Sequence, residues 1–401
     1  MKIVALETLR PVVQPNLMFL QLHTDTGLVG LGESFFGART VETYLHETVA
    51  DVLLGLPDPT PESVARQLTP YLGFQGAGAE TRGNAAVDLA LWDLLGQSAG
   101  LPLVDLFGGP SKRSVRVYNT CAGSGYVGTS TRQSSDNWGL PTHAEVAGKW
   151  EDLHGFLNRP GALARELLGE GITGMKIWPF DRAAEASGGN EIRSVELAAG
   201  LRIVSEVRDA VDMDMDLMIE LHGLWNRRGA TTILDALAPY RPYWVEDPVR
   251  PDAVDALAHL ASDVDVPIAT GETCVGRRGF APLLASGAVD IATVDVQWSG
   301  GLSEARKVAS LADLYGVPIA PHDCTGPATL AASVHLVLSQ PNGLIQETVR
   351  AFLRTWYDEL VTGLPEIIDG EILASQTPGH GVRLRDGLSE SGLVSRNASR
   401  L

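Results

Sequence analysis

DLMIELHG at residues 216–223, YWVEDP at 243–248 and VPIATGET at 266–273 read as three short apolar strands, ending on Glu220, Glu246 and Glu272. The glutamates are 26 and again 26 residues apart. Such an interval holds one strand, one helix of roughly ten to fifteen residues and two turns. The same grammar runs outward in both directions. VRVYNT (115–120) and TGMKIW (173–178) precede these strands; IATVD (291–295), VPIAPH (317–322) and LIQE (344–347) follow, for eight strands in all. Strand and helix in alternation predict βαβ units and a parallel sheet. Eight such units predict a closed (β/α)-type barrel, whose chemistry sits at the C-terminal ends of the strands.

Further out the pattern changes. The first residues, MKIVALETLRPVV followed by NLMFLQLHTDTGLVGLGES, alternate apolar positions around a turn at Asp25-Thr26-Gly27 and predict a strand hairpin. Residues 40–54 and 84–98 carry helical periodicity, with Gly100 just past the second. Residues 1–114 thus read as an α+β unit, 115–350 as the barrel, and 351–401 as a segment without alternation that ends in a polar tail. Residues 124–160, rich in Gly, Ser, Thr and Trp, follow the first barrel strand and are expected to cover the mouth of the site.

With 401 residues the chain exceeds what one hydrophobic core usually serves. Its net charge of −18 argues against a nucleic-acid partner and against docking on an anionic membrane. Cys121, Cys274 and Cys324 are odd in number and far apart, which argues against a disulfide framework and fits a reducing cytosol. No apolar stretch reaches membrane-spanning length, and the N-terminus lacks a signal-peptide core, so a soluble, cytoplasmic protein is expected.

The residues that end the strands carry the functional reading. Three neighbouring carboxylates repel; at about 4 Å one pair costs around 4 kcal/mol at an effective dielectric of 20. A divalent cation relieves this. An all-oxygen donor set suits Mg²⁺, and the lack of Cys or His among the three disfavours Zn²⁺. Asp295 and His322 end adjacent strands, the arrangement of a carboxylate-oriented general base. His222, two residues after Glu220, faces the same side and suits a general acid. Lys176 suits a substrate carboxylate, and Glu347 ends the last strand.

Together these residues resemble the enolase superfamily and, within it, the mandelate racemase-like branch and sugar-acid dehydratases of the galactonate dehydratase kind. The matching stretches span nearly the whole chain: MFLQLHTDTGLVGLGES (18–34), AAVDLALWDLLGQSAGLPLVDLFGG (85–109), YRPYWVEDPV (240–249), VPIATGET, GGLSEARKVASLADLYGVPIAPH (300–322) and GPATLAASVHL (326–336). The resemblance implies an α/β fold: a modified TIM barrel, (β/α)7β, under an α+β capping domain formed by the N-terminal segment and the C-terminal tail. It implies Mg²⁺ on Glu220, Glu246 and Glu272, a His322–Asp295 dyad as base, His222 as the dehydratases' general acid, and Glu347 at the substrate carboxylate. Two positions depart from the pattern. The first metal ligand in these relatives is usually Asp, one C–C bond shorter than Glu220. The racemases carry a Lys-x-Lys pair where this chain has Lys176 and Trp178, so the second base of racemisation is missing.

The expected activity is Mg²⁺-dependent removal of the proton α to a carboxylate, with dehydration of an acid sugar to a 2-keto-3-deoxy acid. A cycloisomerase or epimerase acting on an acid sugar or its anhydro or lactone form is the alternative. A non-catalytic acid-sugar or metal-binding protein is the alternative of another class. An aldose isomerase barrel is disfavoured by the N-terminal unit. Specificity is expected from GFQGAGAETRG (73–83), with Arg82, and from Trp178, Trp225 and Trp298 as pocket walls. A homo-oligomer, dimer or octamer, is the family expectation.

Overall fold

The computed structural model describes residues 1–69, 76–128, 130–131 and 150–401. Three antiparallel strands open the chain: β1 (Ile3–Pro11), β2 (Leu17–Thr24) and β3 (Val29–Phe35). The turn between β2 and β3 falls at the expected place, where Gly27 takes a left-handed φ of 84°. The free edge of β1 is filled by Val394–Arg400, which runs antiparallel with Ala5 opposite Arg400. The polar tail is therefore a strand. Its sequence, VSRNASR, hides this because neither face is buried, so no alternation is imposed.

The helix Ala79–Ala99 lies across β3. Its closeness depends on Gly30 and Gly32: a Cβ on Gly32 would stand 2.0 Å from the Ala86 carbonyl oxygen. Much of the expected cover loop, residues 129 and 132–149, lies outside the described residues, as do 73–75 of the GFQGAGAETRG stretch.

The barrel strands are β4 (Val115–Thr120), β5 (Gly174–Ile177), β6 (Asp216–Glu220), β7 (Trp244–Glu246), β8 (Ile268–Thr270), β9 (Ile291–Ala292) and β10 (Gln346–Thr348), all parallel, with β10 closing on β4. The strand expected at VPIAPH shrinks to one bridging residue, Ile319, between Ala292 and Gly343. Pro318 and Pro321 flank it and have no N–H to give to a ladder. The barrel stays closed through the amide of Ile319 on Asn342 and that of Leu344 on Ile319.

Inside the barrel, Tyr118, Met218, Trp244, Ala320 and Ile345 belong to one buried apolar cluster. Side chains along a strand return to the same face every second residue. Two residues further along each strand stand Thr120, Glu220, Glu246, His322 and Glu347. The apolar layer is thus the floor on which the polar site rests. No helix among the described residues is long and apolar enough to cross a membrane, and all three cysteines are free.

Candidate active site

Glu220 and Glu246 are register partners on β6 and β7, and Glu272 follows β8 by two residues. One carboxylate oxygen from each lies within 4.8 Å of the others, and all three residues are buried. Glu246 Oε1 has no hydrogen-bond partner among the described residues, and Glu220 Oε2 has no hydrogen bond there but stands 3.3 Å from the Lys176 ammonium. Buried carboxylate oxygens without partners are costly, and an all-oxygen cluster of this width fits a hard divalent cation. The extra methylene of Glu220 does not remove it from the cluster. Its Oε1 turns back to accept the amide of His222 at 2.6 Å, which leaves Oε2 for the centre.

Lys176 on β5 sits between this cluster and Glu347. Its Nζ is 3.0 Å from Glu246 Oε2, 3.0 Å from Glu347 Oε1 and 3.3 Å from Glu220 Oε2. Burial alone would push the ammonium down; the surrounding carboxylates, led by Glu246 and Glu347, hold it well above the usual lysine range. Glu347 also accepts from the Thr120 hydroxyl and from the amide of Asp323 at 2.8 Å. Burial pushes its carboxyl up, but Lys176, His322 and these donors win and bring it to about 2.

His322 Nδ1 meets Asp295 Oδ2 at 2.7 Å, and Nε2 lies 3.3 Å from Glu272 Oε2. Asp295 is pinned in turn, since its Oδ1 accepts the amides of Gln297 and Trp298 at 2.7 and 2.6 Å. The indole of Trp298 lies against the imidazole, with 4.8 Å between ring centres. His222 has the same construction. Its Nδ1 meets Asp181 Oδ2 at 2.8 Å, and its backbone is held in the left-handed region at φ 50°. Such a backbone costs on the order of 1–3 kcal/mol and clusters at functional sites.

A cavity of 580 Å³ brings these groups together. It is lined by Lys176, Glu220, Glu272, Glu347, His222 and His322 from the barrel, and by Phe36, Gly37, Thr40 and Arg82 from the N-terminal unit. Trp178 and Trp298 line it as well; Trp225 does not, and is buried in the main core instead. Its spacing after a strand end resembled that of Trp298, but the turn at Gly223, with φ 63°, carries the chain out of the mouth before Trp225. Asp181 is the residue that strand-end reasoning missed. It opens the short helix Asp181–Ser187, where an acid reads as an ordinary first-turn residue.

The chain is similar to known proteins over nearly its whole length. Residues 5–108 match the mandelate racemase / muconate lactonizing enzyme N-terminal domain, and residues 161–388 the enolase C-terminal domain-like family. D-galactonate dehydratases from Xanthomonas oryzae and Pectobacterium atrosepticum are each 28% identical, covering 97% of this chain and 93% of theirs. A crystal structure of an enolase of the mandelate racemase subgroup from Agrobacterium tumefaciens, with a succinimide residue, sodium and phosphate, is 42% identical. It has a TM-score of 0.87 and covers 100% of this chain and 99% of its own. An enolase protein from Sargasso Sea environmental sequencing is 37% identical with a TM-score of 0.86, covering 100% and 99%.

Proposed function

The chain belongs to the enolase superfamily, in its mandelate racemase / muconate lactonizing enzyme branch, and from that premise we propose that it dehydrates an acid sugar to a 2-keto-3-deoxy acid. The observation that carries the reading is the pair of histidines, His322 and His222. Each is fixed at Nδ1 by an aspartate, and both line one cavity with Glu220 and Glu272 of the acidic cluster. A dehydration needs two such groups, one to take a proton and one to give one.

Glu220, Glu246 and Glu272 would hold Mg²⁺. When bound there, the ion supplies several kcal/mol of charge stabilisation to the oxyanion that develops on the substrate carboxylate. Lys176 donates to a carboxylate oxygen, held in place by Glu347. Superfamily sites of this kind use a Lys or His base against the very weakly acidic α-proton. Here the base is His322: Nε2 takes the α-proton while Asp295 accepts the Nδ1–H hydrogen bond, which holds the tautomer and stabilises the imidazolium. His222 gives its proton to the departing β-hydroxyl, which leaves as water. The enol that remains tautomerises to the ketone, and proton exchange with solvent resets both histidines. Trp178 occupies the place of a second lysine base and packs at 5.9 Å against His222, which removes one route to racemisation.

Incubation of the Mg²⁺-loaded protein with a panel of acid sugars should yield a product lighter by one water. A product of unchanged mass would instead mark cycloisomerisation or epimerisation. In deuterated water, His322→Asn should abolish α-proton exchange; exchange that persists at the wild-type rate removes His322 as the base.

A further inference from the structure

Tyr126 lines the cavity from the loop that follows β4, and the proposed reaction gives it no task. The loop is held in a conformation that its residues do not favour. Val127, buried and β-branched, stands at a left-handed φ of 48°, an outlier for a residue of that kind. Such a backbone persists only where its surroundings over-determine it, and it clusters at functional sites. Here the surroundings come from the N-terminal unit. Asn16, buried in the turn between β1 and β2, donates from Nδ2 to the carbonyls of Val127 and Ser130 at 2.7 and 2.9 Å. Its neighbour Gln14 donates from Nε2 to the Tyr126 carbonyl at 3.4 Å. Within the loop, the Tyr126 amide donates to the Gly123 carbonyl at 3.0 Å and the Gly128 amide to the Gly125 carbonyl at 2.9 Å. These bonds fix where the phenol ring stands.

The ring packs against Trp178, with 5.7 Å between centres, and Trp178 packs in turn against Phe156 at 5.1 Å and His222 at 5.9 Å. Tyr126 thus stands one ring removed from the proposed general acid. Among the described residues no hydrogen bond takes up its hydroxyl, in contrast to Tyr44, whose hydroxyl donates to Asn84 at 2.9 Å. Burial pushes the phenol well above its usual range, and Cys324, Asp181, Glu272 and Glu220 add to this. The hydroxyl therefore stays neutral, able both to donate and to accept. That suits a sugar hydroxyl, which does both as well, and placed polar groups on an aromatic wall are what orient a small ligand. The first three substrate carbons already have partners in the proposed reaction. The C1 carboxylate is served by Lys176 and the acidic cluster, the C2 proton by His322 and the C3 hydroxyl by His222. Resting on the proposed function, we infer that Tyr126 is a specificity-determining residue whose hydroxyl hydrogen-bonds a substrate hydroxyl beyond C3, with Asn16 and Gln14 as the positioning residues that hold it there.

The test pairs one change in the protein with one change in the ligand. Hexonic acids and their 4-deoxy, 5-deoxy and 6-deoxy analogues are compared on the Mg²⁺-loaded native protein and on Tyr126→Phe, which loses only the hydroxyl. Both kcat/KM and binding are read, binding by quenching of tryptophan fluorescence. The native protein should disfavour one deoxy analogue by about tenfold against its parent, and which one it is identifies the hydroxyl. Tyr126→Phe should weaken the parent by a similar factor and leave that analogue unchanged. A packing role would weaken the parent and all three analogues together, and that result overturns the inference. A native protein that treats the four ligands alike overturns it too, as does a parent unaffected by Tyr126→Phe. Asn16→Ser carries a second arm should Tyr126→Phe not fold: it should weaken the parent and spare the same analogue, and equal loss on all four counts against the inference. Dehydration at the same rate with and without each hydroxyl beyond C3 leaves the proposed reaction standing and this inference fallen. Binding that depends on Tyr126 and on one such hydroxyl, without loss of water, does the reverse.

Discussion

At the end of β6, Glu220 divides its two oxygens between tasks, one on the His222 amide and one toward the acidic centre. From this backbone the Glu220 side chain serves both. Glu220→Asp, shorter by about 1.5 Å, should therefore weaken Mg²⁺ binding by about 10–100-fold, the scale of disturbed ligand support. Titration calorimetry reads this directly, and an unchanged Kd would show that the strand end does not depend on the length. His222 is the second test at this scale. Burial pushes its pKa down, but the Asp181 and Glu220 carboxylates outweigh burial and bring it up to about 10. A raised histidine pKa contributes stability that is complete below pH 6.5 and fades as pH climbs through 10. The same sign applies to catalysis, because the proton His222 must donate stays on the ring into alkaline solution. Asp181→Asn should move the alkaline limb of kcat/KM downward by about one to two pH units, with KM little changed; a limb that stays in place would reduce Asp181 to a packing role. The carboxylates Glu220, Glu246 and Glu272 were legible in the sequence because each ends an apolar strand at a fixed interval. Asp181 was not, because its partner is 41 residues away and its local setting is that of any helix start.

Among the elements, the strands were legible wherever both faces are buried, and lost where backbone hydrogen bonding rather than side-chain pattern decides. VPIAPH looks like a strand by composition, yet its two prolines leave only Ile319 bridged. Asn342 holds what remains, donating from its amide to the carbonyls of Ala309 and Val317 at 3.0 Å each. The contact of β3 with the helix Ala79–Ala99 could be anticipated only as a motif, VGLG. Its physical content is the absence of side chains at Gly30 and Gly32, where backbone meets backbone. Gly32→Ala would place a Cβ 2.0 Å from a carbonyl oxygen that cannot swing away. Overpacking of this kind costs about 3 kcal/mol. The expected result is a lower urea midpoint at an unchanged m-value. A midpoint within error of wild type would mean that the helix shifts freely over the sheet, and Arg82 with it.

Over the whole molecule, the N-terminal unit and the barrel are joined by helix caps that one supplies to the other. The barrel helices Leu302–Leu314 and Pro327–Ser339 begin after Gly301 and Gly326, and neither glycine has a side chain to cap with. Asp88 of the N-terminal unit accepts the Ser303 amide at 2.9 Å, and Glu33 accepts the amides of Ala328 and Thr329 at 3.0 and 2.9 Å. Helix N-termini leave amides unsatisfied and positive, so a carboxylate from across the interface serves them as well as a local cap. Hydrogen bonds to a charged group are worth about 1.5–3 kcal/mol each. They hold Phe36 and Arg82 over the mouth in which Lys176 and His322 stand. Removing both carboxylates, as Glu33→Ala with Asp88→Ala, leaves two barrel helices uncapped and the interface short of its charged contacts. Wild-type protein should then melt in one calorimetric transition and the double variant in two, with the N-terminal unit first. A single transition, merely shifted downward with calorimetric and van't Hoff enthalpies still equal, would show that apolar contact alone couples the two parts and that the caps only add to it.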